Sequence, residues 1–202
     1  MLRAGLAGVA VALVLAGCGG DPTGSATETP YDFSFDDPKG DTTVATVNPD
    51  SVAAIDLVTV SGRVDADQIE LVLEFAEPVS RWSGGGANAL DGFVFFDTDQ
   101  STGTGRASGG NPTTAGAEFY LDLRDDGSGR LGLVNFGKKT ITVLSPTFDG
   151  TRLEIRIPRA LLATTSDTDN KLNLAVEIGV RGRAPVTDRG GNGVAYELEP
   201  PA

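Results

Sequence analysis

Apolar residues in this chain recur at every second position, and that period decides what the chain can build. Ile69, Leu71, Leu73 and Phe75 alternate with Glu70, Val72 and Glu74, while Leu153, Ile155 and Ile157 alternate with Arg152, Glu154 and Arg156. Leu172, Leu174, Val176 and Ile178 form a third series. Successive side chains of an extended strand point to opposite faces, so each series predicts a strand with one face in a core and the other in water. Further strands are expected at 54–61, 119–123, 131–136, 140–144 and 194–198, divided by turn pairs such as Asp126-Gly127, Asp149-Gly150 and Gly191-Asn192. Phe93-Val94-Phe95-Phe96 is apolar on both faces and predicts a central strand. Helix is scarce: Pro158-Arg159-Ala160-Leu161-Leu162 offers one turn, with Pro where a missing amide proton does no harm. About eight to ten short strands with polar turns predict an all-β fold, an antiparallel β-sandwich of the jelly-roll kind.

The N-terminal segment obeys a different pattern. Arg3 precedes a nearly uncharged run, Ala4 to Gly17, rich in Leu, Val and Ala, which is the layout of a signal peptide. The run is shorter than the roughly 20 apolar residues a membrane-spanning helix requires. Its end, Leu15-Ala16-Gly17-Cys18, resembles the lipobox of bacterial lipoproteins, and Cys18 is the only cysteine, so no disulfide partner competes for it. The resemblance implies cleavage before Cys18, acylation of its thiol, and a protein held on the outer side of a membrane by its lipid. Residues 1–17 are then a signal peptide and residues 18–30, rich in Gly, Pro, Ser and Thr, a lipidated flexible tether. The sandwich is expected over residues 31–202, a normal size for one domain.

Charge and composition narrow the chemistry. The net charge is −12, and loss of Arg3 with the signal moves it to −13. A polyanion would be repelled from most of such a surface, and no basic block offsets this, so nucleic acid is excluded as a partner. The chain has no histidine, its one cysteine is expected to be acylated, and its one methionine is the first residue. Zinc, copper and haem therefore lose their usual ligands, and what remains are oxygens suited to a hard cation.

Two acidic segments could supply such oxygens. Asp36-Asp37-Pro38-Lys39-Gly40-Asp41 sets three carboxylates around a Pro and a Gly, with Asp56 downstream. A tight turn of this kind either aims several oxygens at one Ca2+ or is a solvated turn whose Asp side chains cap backbone amides. The second, Asp97-Thr98-Asp99-Gln100-Ser101-Thr102-Gly103-Thr104-Gly105, follows the Phe-rich strand and opens like an EF-hand loop. Thr102 and Ser108 stand where that loop needs Gly and Glu, so it is not an EF-hand; the other reading is an ordinary Asp/Gly hairpin. Asp167-Thr168-Asp169-Asn170 and Asp188-Arg189-Gly190-Gly191-Asn192-Gly193 read as turns.

Taken in order, Asp37-Pro38-Lys39-Gly40-Asp41, Ile55-Asp56-Leu57, Phe95-Phe96-Asp97-Thr98-Asp99 with Thr104-Gly105, and Gly116-Ala117-Glu118-Phe119-Tyr120 resemble the β-sandwich domains grouped as CBM9-like or DOMON-like. The likeness runs over residues 31–200 and takes in Ile157-Pro158 before Ala160-Leu161-Leu162 and Arg183-Ala184-Pro185 with Asp188. It implies a jelly-roll sandwich, often with structural Ca2+, and a ligand face that takes sugars in some members and haem in others. Carried over by position, the Ca2+ ligands are Asp36, Asp37, Asp41 and Asp56, with Asp97, Asp99 and Glu118, in one site or two. Haem lacks axial ligands here.

Sugar recognition needs aromatic platforms flanked by polar groups. The carbohydrate modules of the group use paired tryptophans, whereas this chain has Trp82 alone, beside Arg81 and Gly84-Gly85-Gly86. Trp82 and Tyr120 are the candidate ligand-binding residues; a Trp beside a loop also serves as a lid on a core. The expected function is a non-catalytic, Ca2+-stabilised module recognising a glycan or another envelope component. The rivals are an assembly lipoprotein contacting an envelope protein and a glycoside hydrolase or lyase built on two carboxylates.

Overall fold

In the computed structural model the described residues are 30–42, 55–84, 88–107, 114, 116–164, 171–180, 188–190 and 195–199. The lipobox, residues 18–29 of the expected tether, Asp167-Thr168-Asp169-Asn170 and Arg183-Ala184-Pro185 lie outside them. Strands β1 (Tyr31–Asp36), β2 (Leu57–Val64), β3 (Gln68–Phe75), β9 (Arg152–Pro158) and β8 (Thr147–Asp149) form a five-stranded sheet in the order β1-β2-β3-β9-β8. The second sheet runs β11 (Asp188–Arg189), β10 (Leu172–Val180), β4 (Leu90–Asp97), β5 (Phe119–Asp122), β6 (Leu131–Asn135), β7 (Thr140–Leu144), with β12 (Tyr196–Leu198) also pairing with β10. Every strand pairing is antiparallel, and one sheet curls into a half-barrel.

The expected all-β sandwich is present. The chain passes between sheets from β3 to β4, from β7 to β8 and from β9 to β10, and β3 lies beside β9 in one sheet as β4 lies beside β10 in the other. Alternation places Ile69, Leu71 and Leu73 of β3, Leu153, Ile155 and Ile157 of β9, and Leu174, Val176 and Ile178 of β10 in a single core. Each such side chain contributes about 1.5–3 kcal/mol by leaving water. The turn at 158–162 is a 3-10 turn, Arg159–Leu161, at the end of β9. Among the described residues no helix is long and apolar enough to cross a membrane.

β4 is central, flanked by β10 and β5, as its double-faced apolar sequence predicts. Val94 and Phe96 enter the main core, while Phe93 and Phe95 point to the opposite face of the sheet. There they meet the outward residues of the neighbouring strands, Ala175 of β10 and Tyr120 of β5, and Phe136 just beyond β6. The apolar outward face of β4 thus supplies a second, small aromatic cluster outside the main core.

Candidate functional site

The first acidic group forms where β1 runs out. Tyr31, Phe33 and Phe35 point inward and Asp32, Ser34 and Asp36 outward, so the next residue, Asp37, falls on the inner side and is 4 % exposed. Its amide donates to Val58 O at 2.9 Å, which extends the β1–β2 ladder by one step. The chain then turns through Gly40 at φ +88°, a conformation that favours glycine. Asp56 pins that turn: both its carboxylate oxygens accept from the Gly40 amide, at 3.1 and 2.9 Å. The third member comes from far along the chain. Asp188, 5 % exposed in β11, accepts from the Leu57 amide at 2.6 Å, where a register shift interrupts the β2–β3 pairing. One oxygen each from Asp37, Asp41 and Asp188 then lie within 4.8 Å of one another.

Three carboxylates so close repel. Burial, aided by the charges of Asp37 and Asp41 and opposed by the Leu57 N–H, pushes the Asp188 carboxyl up to about 7. The Tyr196 hydroxyl faces the same group: its pKa is raised by burial and then by the charges of Asp37, Asp188 and Asp41. Tyr196 is 7 % exposed, its ring stacks on Phe35 at 4.4 Å, and its hydroxyl has no hydrogen-bond partner among the described residues. A buried oxygen left without a partner costs about 1–3 kcal/mol. Carboxylates and an orphaned hydroxyl oxygen are the donors a hard divalent cation takes, so this set fits Ca2+.

The second acidic group closes the loop between β4 and β5. One oxygen each from Asp97, Asp99 and Glu118 lie within 4.8 Å of one another. Their oxygens accept from the loop itself: Glu118 Oε2 from the Thr98 amide at 2.8 Å and hydroxyl at 3.2 Å, and Asp99 Oδ1 from the Ser101 amide at 3.0 Å. Thr104 Oγ1 lies 2.8 Å from Asp99 Oδ1, 2.9 Å from Ser101 O and 3.0 Å from Glu118 Oε1. A hydroxyl has one proton to give, so these three acceptors outnumber the donor. Burial, then the charges of Glu118 and Asp99, raises the Asp97 carboxyl. Gly105 and Gly116, both at positive φ, let the loop fold on itself, since a Cβ on Gly105 would meet Gly116 O at 2.3 Å.

The aromatic cluster on the outer face of the seven-stranded sheet lines a groove of about 240 Å3, formed by Phe93, Phe95, Tyr120 and Phe136 with Arg106, Arg124 and Glu177. Tyr120 stands edge-on to Phe93 at 5.6 Å and tilted against Phe136 at 4.8 Å. Arg106 covers the Phe95 ring at 4.7 Å and Arg124 the Phe93 ring at 5.3 Å. Aromatic rings beside charged donors and an acceptor are the composition of a small-molecule site.

The expected residues are therefore distributed as follows. Asp37 and Asp41 come together with Asp188, while Asp36 faces solvent and Asp56 holds the turn; Asp97, Asp99 and Glu118 make a separate group. Asp188 corrects the reading of its segment as a turn: it is a buried strand residue, and the carboxylates it lacks in sequence reach it across the fold. Tyr120 lines the groove, but Trp82 sits half-buried in a 3-10 turn, Trp82–Gly84, and does not line it. Arg106, Arg124, Glu177 and Phe136 were not singled out from sequence; the outward pair Phe93 and Phe95 was the available signal. No family model matches the chain, and no curated protein shows significant similarity to it.

Proposed function

We propose that this chain is a membrane-tethered, extracytoplasmic binding module that recognises a carbohydrate in the groove on the outer face of its seven-stranded sheet, with Ca2+ stabilising the fold. The observation that carries the reading is the groove, four aromatic rings with two arginines and Glu177. Pyranose rings stack their C–H faces on rings such as Tyr120 and Phe136, over which no arginine lies among the described residues, and pair their hydroxyls with the flanking polar groups. The groove suits binding better than hydrolysis: Glu177 is the one carboxylate among its described lining residues, where the usual glycosidases set two across the scissile bond. The tether rests on Leu15-Ala16-Gly17-Cys18.

Ca2+ is assigned first to Asp37, Asp41 and Asp188, supported by the orphaned Tyr196 hydroxyl, and second to Asp97, Asp99 and Glu118. When bound, the ion neutralises the packed carboxylates. At the first site it ties the end of β1 to β11. A glycan screen on the purified protein tests the first half of the reading, and retention of no saccharide would refute it. Thermal unfolding with and without EDTA tests the second. At a free Ca2+ of 100 times Kd the stabilisation is about 2.7 kcal/mol, or on the order of 5–11 °C for a domain of this size. An unchanged midpoint in excess chelator would remove calcium from the account.

One feature favours contact with an envelope protein instead. Ile141 and Val143 are 67 % and 48 % exposed on β7, an edge strand. Edge strands with apolar side chains template pairing with another chain. Capture of one envelope protein by wild type and its loss in Ile141→Lys would support that reading.

A further inference from the structure

Arg106 differs from the other charged residues of the groove. Arg124 is held by Asp122 through two short hydrogen bonds, at 2.8 and 2.7 Å, and lies 3.6 Å from Asp91; Glu177 lies 3.5 Å from Arg189. Arg106 donates from one Nη to Thr114 Oγ1 at 3.0 Å, and among the described residues no carboxylate stands within ion-pair distance of it. In a chain with 28 acidic residues to 16 basic ones, a guanidinium in a groove without a carboxylate partner among the described residues is unusual. Its position is fixed. The plane lies over Phe95, and the Arg106 backbone is clamped by two hydrogen bonds of 2.9 Å, from its own amide to Ala117 O and from the Gly116 amide to its carbonyl. A guanidinium has five N–H donors in a planar fork, so most of them remain for a ligand, and the fork matches a carboxylate in two-point fashion.

We infer that the groove takes a single hexuronic acid unit of an otherwise neutral saccharide, with the ligand carboxylate received by Arg106 and the ring lying against Tyr120 and its aromatic neighbours. The inference rests on the glycan reading above. The volume, about 240 Å3, is below the ~300–1,000 Å3 of sites for drug-sized molecules and suits a single sugar ring. A carboxylate on an aromatic ring would share the anion but leave Glu177 facing a ring with no hydroxyl to donate to it. A hexuronate supplies both an anion for Arg106 and hydroxyl donors for Glu177, whose own charge is partly offset by Arg189.

The test is calorimetric titration of the purified protein with cellobiose, with its counterpart carrying a terminal glucuronate, and with benzoate. The expected result is saturable binding of the glucuronate compound about tenfold or more tighter than cellobiose, the equivalent of one charge-assisted hydrogen-bonded contact, with benzoate weakest. Arg106→Gln brings the two disaccharides to equal affinity, and Arg106→Lys, which keeps the charge but loses the fork, keeps part of the preference. Equal affinity of wild type for both disaccharides, or a preference unchanged in Arg106→Gln, overturns the inference while leaving the glycan reading standing. Benzoate binding as tightly as the glucuronate compound overturns the choice of a sugar acid. Binding of neither disaccharide by a folded wild type overturns the inference and counts against the glycan reading as well.

Discussion

Asp188→Asn removes one charge from the Asp37–Asp41–Asp188 group and little else. Asparagine has the same shape and keeps an oxygen that can accept from the Leu57 amide, now 2.6 Å from the carboxylate. In the folded chain the Asp188 carboxyl sits at about 7 against an ordinary value of 3.8. A folded pKa above the unfolded one means that the contribution to stability is fully present below pH 3.8 and is lost as pH rises through about 7. At 1.36 kcal/mol per pH unit the cost of the ionised group approaches ~4 kcal/mol at pH 8. Asp41 is exposed and opens the group to solvent, so screening reduces the cost to on the order of 2 kcal/mol. In EDTA at pH 8, Asp188→Asn should therefore unfold about 4–8 °C above wild type. Wild type should lose stability between pH 4 and 7 relative to the variant. With calcium added the order reverses, because the ion favours ionised Asp188 and the variant has lost a ligand oxygen. Differential scanning calorimetry at pH 5 and 8, with EDTA and with calcium, gives all four comparisons. A lower midpoint for the variant in EDTA at pH 8, or an equal calcium response in both proteins, would refute the reasoning.

Tyr196→Phe removes a buried hydroxyl without a hydrogen-bond partner while keeping the ring stacked on Phe35. Stability in EDTA is expected to stay level or rise, by up to about 1–3 kcal/mol, while the gain on adding calcium shrinks; a destabilised variant in EDTA would show that the hydroxyl has a partner after all. Phe96→Ala empties a fully buried position on the central strand and should cost about 3–5 kcal/mol in urea unfolding with no change in the slope, whereas a cost below ~1 kcal/mol would contradict the packing described.

The sheet strands were legible because alternation is a local property: whether Leu153 and Ile155 face a core can be read from Arg152, Glu154 and Arg156 between them. Phe93-Val94-Phe95-Phe96 marks the limit of that rule. With both faces apolar the pattern identifies a central strand but not which face is the core and which the groove. The loop group Asp97, Asp99 and Glu118 was recoverable because its members flank one hairpin. Asp188 was not, since its partners Asp37 and Asp41 join it only through the β10–β11 pairing and the contact with Leu57. Trp82 drew attention by its chemistry, yet the turn after β3 places it outside the groove, where Phe residues of strand β4 take the position an aromatic platform needs.

The most direct measurement of saccharide recognition by the outer groove is a titration comparing wild type with Tyr120→Ala and Trp82→Ala, each first shown to be folded by its circular dichroism and thermal midpoint. The expected result is that a saccharide bound by wild type is bound equally by Trp82→Ala and at least tenfold more weakly by Tyr120→Ala, roughly the loss of one stacking ring. Unchanged affinity in Tyr120→Ala, with binding lost in Trp82→Ala, would place recognition elsewhere on the domain and contradict the assignment of the groove.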